Sequence, residues 1–171
     1  TQLKLLNQAT GYVDLTISNL VFENSALHPA SDAATTTRFH GRITIPSGYS
    51  GGIVRANDNN LERPVILAED SEVAGGGTFV YHTPGSISPL TFDGEMGNFT
   101  GSLRVRQSTV LNFGPNLRNC RFSGLDSEPD KVLTLNVNAP VTIAGPIVGS
   151  FIKQGSGTLT LTENVAMALF D

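Results

Sequence analysis

Residues 150–164 read S-F-I-K-Q-G-S-G-T-L-T-L-T-E-N. Thr158, Leu159, Thr160, Leu161 and Thr162 alternate polar and apolar without a break, the pattern of a strand with one buried face. A Gly-Ser-Gly turn at 155–157 separates that strand from a second short apolar piece, Phe151 and Ile152. A strand, a tight glycine corner and another strand make half of one coil.

Similar halves recur upstream. Leu90/Phe92, Leu103/Val105, Leu111/Phe113, Cys120/Phe122, Leu133/Leu135/Val137 and Val141/Ile143 are short alternating units, with Gly94, Gly97, Gly101, Gly114, Gly124, Gly145 and Gly149 between them. With one unit per coil, Ile43, Ile66, Leu90, Leu111, Leu133 and Leu159 are spaced by 23, 24, 21, 22 and 26 residues. A drifting period of that size is expected of a β-solenoid, in which one coil cannot bury its apolar face alone and stacked coils turn each inward residue into a column. The sequence therefore predicts an all-β chain folded as a small right-handed parallel β-helix, one domain over residues 1–171. The alternative is a jelly-roll or β-tulip sandwich in an irregular first part, 1–88, followed by a short solenoid over 89–171.

Composition agrees with many short strands joined by turns. The 171 residues include 18 Gly and no Trp, and only 15% are charged, while the apolar fraction of 39% is ordinary. A net charge of −4 with scattered Lys and Arg gives no electrostatic reason to bind nucleic acid. No apolar run reaches membrane-spanning length, so no membrane partner is expected. The single Cys120 allows no intrachain disulfide and no multi-cysteine metal site. Thr1-Gln2-Leu3-Lys4 has no signal-peptide pattern and fits removal of an initiator Met, although a mature secreted fragment would look the same.

Toward the N-terminus the pattern is less regular. Leu15 and Ile17, then Leu20 and Phe22, are two alternating pairs with a phase shift at Ser18-Asn19, which predicts two short strands meeting at a bend. Residues 25–37 have no periodicity and are expected to form an exposed loop carrying a solvated His28. The expected caps are an arm bearing Leu3, Leu5 and Leu6 and the apolar tail with Val165, Met167, Leu169 and Phe170. These seven residues are also the candidate partner contacts.

Two phrases resemble known families. V-D-L-T-I-S-N-L-V-F-E-N at 13–24 resembles a coil of right-handed parallel β-helix proteins, pectate lyases among them. V-T-I-A-G-P-I-V-G at 141–149, followed by F-I-K-Q-G-S-G-T-L-T-L at 151–161, is similar to the autotransporter-associated β-strand repeat of bacterial surface passengers, and N-F-T-G at 98–101 is similar to a turn of the same repeats. The resemblance covers about a quarter of the chain and implies a fold rather than an activity.

A carbohydrate-cleaving site of the lyase kind needs clustered carboxylates. The candidates are Asp93 with Glu95, and Asp126, Glu128 and Asp130. Gly94 and Pro129 make a solvated loop the expected setting of both groups, and the second lacks the distal Glu of a calcium loop. His40 and His82 stand at strand edges without paired ligand spacing, and Cys120 alternates with Phe122 as a buried thiol. No catalytic residue, metal or cofactor is expected. That leaves three functions. The first is a virion structural protein, most simply a phage head decoration (cement) protein holding the major capsid or another virion protein, acting as a homo-oligomer such as a trimer and made in the host cytoplasm. The alternatives are a cell-surface adhesin or passenger fragment, and a tailspike-like carbohydrate-binding β-helix.

Overall fold

The computed structural model describes residues 2–7, 11–31, 35–54, 62–83 and 88–163. Among them are eighteen strands and no helix, and every strand pairing is parallel. The first sheet stacks β1 (Gln2–Asn7), β3 (Ser25–Ser31), β5 (Ser50–Val54), β8 (Thr78–His82), β10 (Ser102–Val105), β13 (Leu125–Ser127) and β16 (Ile147–Val148). The second stacks β2 (Gly11–Val21), β4 (Thr35–Thr44), β6 (Val65–Leu67), β9 (Leu90–Phe92), β11 (Thr109–Phe113), β14 (Val132–Val137) and β17 (Ser150–Gln154), with β7 (Glu72–Ala74) also paired to β4. The third holds β12 (Cys120–Phe122), β15 (Val141–Ile143) and β18 (Leu159–Leu161). Each strand pairs with its equivalent one turn away, so the chain is a parallel β-solenoid.

The paired residues define the true period. In the first sheet Gln2 faces Ala26, Ser25 faces Gly51, Ser50 faces Thr78, Ser102 faces Thr78, and Leu125 faces Leu103 and Ile147. The advance thus rises from 24 residues to 28 and then falls to 22, and in the last turn of the other two sheets to 18, with Val132 on Ser150 and Val141 on Leu159. Loops shorten toward the C-terminus, which is why the regular phrases lie there.

The inner face of the second sheet carries one column through Phe39, Leu67, Phe92, Phe113 and Val137, and a second through Val65, Leu90, Leu111 and Leu135. All nine are buried. Phe92 and Phe113 stack with centroids 5.6 Å apart and planes within 9°, while Phe122 of the third sheet meets both edge-on at 6.1 Å. Aromatic pairs of this geometry contribute about 0.5–1.5 kcal/mol each beyond the area they bury. Between the first two sheets, Ser88 serves three coils: its hydroxyl accepts from the Arg63 amide (2.9 Å) and its carbonyl from Tyr81 (2.7 Å) and Thr109 (2.8 Å). Such pairing lets a polar corner be buried at little cost.

Several expectations need correction. The sandwich alternative for the first part does not occur, since β1 to β8 stack in parallel with the later strands. The supposed loop at 25–37 holds β3 and the start of β4, and His28 is buried rather than solvated. Gly51 lets β5 pair closely with Ser25 of β3, since a side chain on it would collide with the buried Phe22. The bend at Ser18-Asn19 is a register irregularity inside one long strand, β2, opposite Gly41. At φ +106°, Gly41 has the Ile17 carbonyl where a side chain would stand. The chosen anchors were right in period and wrong in part of their register. Leu111 does stack on Leu90, but Ile43 stacks on Val73, Leu111 on Leu135, and Leu159 on Val141.

Candidate functional site

The third face, where the coils are built from short bridges and strands, carries one of the charge ladders, with Arg42–Glu72 and Arg118–Glu95 on it, while Arg104–Asp126 and Asp14–His40–Asp70 lie on the first and second sheets. Parallel in-register stacking puts like positions of successive coils next to each other; the column Arg42, Glu72, Glu95, Arg118 brings two carboxylates together, and each is held by an Arg and an Asn. Arg42 lies 3.7 Å from Glu72, whose carboxylate accepts from Asn98 Nδ2 at 2.7 Å. Glu95 follows one coil on, bridged through the backbone to positions 72 and 118. Its carboxylate accepts from the Gly97 amide (2.6 Å), Asn119 Nδ2 (3.0 Å) and Arg118 Nε (3.2 Å). Beside it Asp93 accepts from the Asn116 amide and side chain, both at 3.0 Å.

These donors decide the chemistry of the pair. Asn119 above all, then Gly97 and Arg118, hold the Glu95 carboxyl below the usual carboxylate range against a smaller opposing effect of burial. A general acid needs the reverse, a carboxyl kept protonated near neutral pH. Asp93 and Glu95 are thus ladder residues at half-buried positions, not the plain solvated loop expected. Asp126 lies on β13 rather than in a loop and pairs with Arg104 at 2.7 Å; Glu128 lies 3.9 Å from Arg106; Asp130 occupies a turn with φ +64°. The structure does not bring these three into a ligand shell, and no group of metal-ligating side chains occurs among the described residues.

Beside Glu95 runs an open cleft of about 990 Å³. Its polar lining comes from three coils: Asn98 and Thr100, then Arg118, Asn119 and Arg121, then Thr142. Cys120 lies in its wall but is buried, which pushes the thiol far above its ordinary range and leaves it unreactive. The cleft can hold an extended polar ligand by hydrogen bonds and the Arg121 charge.

No protein family, curated protein or solved structure matches the chain. Every functional argument therefore rests on the molecule itself.

The remaining candidates are dispersed. His40 lies between two carboxylates, with Nδ1 2.7 Å from Asp70 and Nε2 3.3 Å from Asp14, and the Asp70 contact chiefly raises its pKa. His82, at the end of β8, is shifted down by burial and then by Arg106. Leu3, Leu5 and Leu6 lie on β1 at the edge of the first sheet, their backbone in register with Leu27, Pro29 and Ala30. Val165, Met167, Leu169 and Phe170 lie outside the described residues.

One feature was missed in the sequence. Val148 (55% exposed), Ile152 (51%) and Val132 (46%) lie around the corner at Gly149, between the first and second sheets at the C-terminal end. Val132 pairs with Ser150, Ile152 lies over Thr134, and Val148 lies over Asp126. The signal was available: Ile147-Val148, Phe151-Ile152 and Val132-Leu133 are apolar doublets, and alternation forces one member of each doublet outward.

Proposed function

We propose that this chain is a structural protein of a virus particle, most simply a phage head decoration protein that bridges major capsid subunits and acts as a homo-oligomer. The observation that carries the reading is the exposure of Val132, Val148 and Ile152 around the Gly149 corner, which holds three of the six large apolar side chains exposed among the described residues. Contiguous exposed apolar groups of this kind mark docking surfaces. Burying the exposed half of each would contribute about 0.7–1.5 kcal/mol, a contact that gains strength by repetition around a shell. The charge ladders support the same reading, since they stiffen the coil surface and occupy the carboxylates a hydrolytic site would require.

Particles melted with and without the bound protein test this directly. Capsids carrying it should open at a higher temperature, and no shift at saturating occupancy would count against cementing. A second reading, a binding module for a polar polymer such as a surface glycan, is favoured by the cleft beside Glu95 and Arg121. Glycan binding lost in Arg121→Ala, with no effect on particle melting, would move the assignment there.

A further inference from the structure

The cleft beside Glu95 arises where two stacked coils differ in length. Glu95 bridges Arg118, and a few residues further on Ser123 N donates to Gly101 O (2.8 Å). Between those two contacts the earlier coil runs through 96–100 and the later one through 119–122, so the earlier coil holds the longer segment. The difference is taken up in the exposed Gly97-Asn98 turn, which forms a rim of the cleft. The face beside that rim carries Arg121 of β12 and, paired with it on β15, Thr142.

Charge in the cleft does not balance. Arg42, Arg104, Arg106 and Arg118 each lie 2.7–3.9 Å from a carboxylate, and Arg38 lies 3.9 Å from the centre of the Tyr12 ring. Arg121 is exposed between buried Cys120 and Phe122 and has no ion pair or ring contact among the described residues. Arg118 and Glu95 neutralise each other, which leaves one net positive charge, on Arg121. Asn98 and Asn119 give their side-chain hydrogens to Glu72 and Glu95, so their carbonyl oxygens remain as acceptors. Thr100 and Thr142 add hydroxyls that can donate or accept.

We infer that the cleft binds an acidic glycan, with the carboxylate of one sugar on Arg121 and the hydroxyls of its neighbours on Asn98, Thr100, Asn119 and Thr142. This rests on the second reading above, that the cleft takes a polar polymer, and adds the charge of that polymer. A planar guanidinium with free donors matches a carboxylate through two parallel hydrogen bonds. One net positive charge beside the fixed Glu95 carboxylate suits a chain with sparse charge. It disfavours one charged at every unit, such as a nucleic acid or a heavily sulfated polysaccharide. A peptide would seek an apolar anchor pocket or a free strand edge. Phe99, Leu117 and Cys120 in the wall are buried, and the backbone around the cleft is bonded between coils, Arg118 N to Gly94 O (2.9 Å) and Ala144 N to Phe122 O (2.8 Å). Asn98, Arg121 and Thr142 belong to successive coils, about 10 Å from first to third, so a linear chain laid along the stack meets them in turn. The cleft shares no residue with the corner of Val132, Val148 and Ile152, so the two surfaces act separately.

A glycan array with neutral, uronate-bearing, sialylated and sulfated members, probed with the intact chain, tests the inference. Members bearing a carboxylate should be bound, and neutral or purely sulfated ones should not; the uronate and sialylated arms tell which kind of acidic sugar fits. Reducing the carboxylate of the best-bound member to the alcohol should weaken binding at least about tenfold, and Arg121→Ala should weaken it as much. Arg121→Lys keeps the charge but loses the fork, and should fall between. Neutral members bound as well as acidic ones would overturn the inference and leave the polymer reading standing. Binding to no member would overturn both. Undiminished binding by Arg121→Ala, or by the parent to the reduced glycan, would overturn the role of Arg121, and the reduced glycan tests it without any variant. None of these outcomes alters the particle-melting result.

Discussion

The middle rungs, β8 to β15, and the last rung, β16 to β18, are built from the same phrases yet differ in what those phrases accomplish. In the middle, every inward residue has a neighbour above and below, and the Phe92–Phe113 stack is closed to solvent. In the last rung, equivalent positions have a neighbour on one side only among the described residues, and partly buried Phe151 takes the place held below by buried Leu133. Stability in a solenoid is thus a property of position along the stack. The end that contributes least to it is also where apolar groups are left for contact.

Truncation of stacked rings should expose this contrast most strongly. Phe113→Ala is expected to cost about 3–5 kcal/mol in denaturant unfolding, and Phe151→Ala about 2 kcal/mol, because Phe151 is only partly buried against the core. Equal losses would break the comparison. Corner glycines should give the next effect. Gly75 has φ +99° and the Ile45 carbonyl stands where a Cβ would go, so Gly75→Ala should cost about 2 kcal/mol or more. Gly155→Ala, at the last corner with φ +79°, should cost less because the end rung has fewer neighbours to resist a shift.

Charge ladders come below these. Glu95→Gln should lower stability by up to about 1 kcal/mol at neutral pH, since its partners are partly solvated. Its folded pKa is depressed, so the stabilisation is present above the ordinary carboxylate value near 4.5 and is lost as pH falls below it. His40 gives the smallest effect, with the opposite sign. Its folded pKa is raised, so the Asp14–His40–Asp70 contact is fully present below pH 6.5 and is lost as pH rises through the folded value. In NMR titrations His40 should change charge above 6.5 and His82 below it, and His40→Gln should flatten unfolding free energy against pH in that upper window.

Much of the fold was legible because alternation and glycine corners report the same physics in every coil. Phe151, Gly155 and Leu159 appear in the structure in the roles their sequence assigns them: strand, corner, strand. Register was less legible, since loop lengths absorb the error and Ile66 looks as good an anchor as Val65, although only Val65 faces inward. β3 was missed because Leu27 is its core side chain and its neighbours Ala26 and His28 carry no alternating apolar signal. The cleft could not be read at all. Asn98, Arg121 and Thr142 come from three coils and meet only when the register is known. The apolar corner could have been found from its doublets.

On the proposed function, the C-terminal corner rather than apolar exposure in general attaches the protein to a particle. Val148→Thr/Ile152→Thr keeps β-branched side chains on the strands while removing apolar surface, and Tyr12→Thr does the same at the opposite end, where Tyr12 is 61% exposed. Co-sedimentation with particles should fall at least about tenfold for the double variant and remain unchanged for Tyr12→Thr, with thermal unfolding of both free proteins near that of the parent. Retention of the double variant at parental occupancy, or equal loss from both ends, would contradict the account.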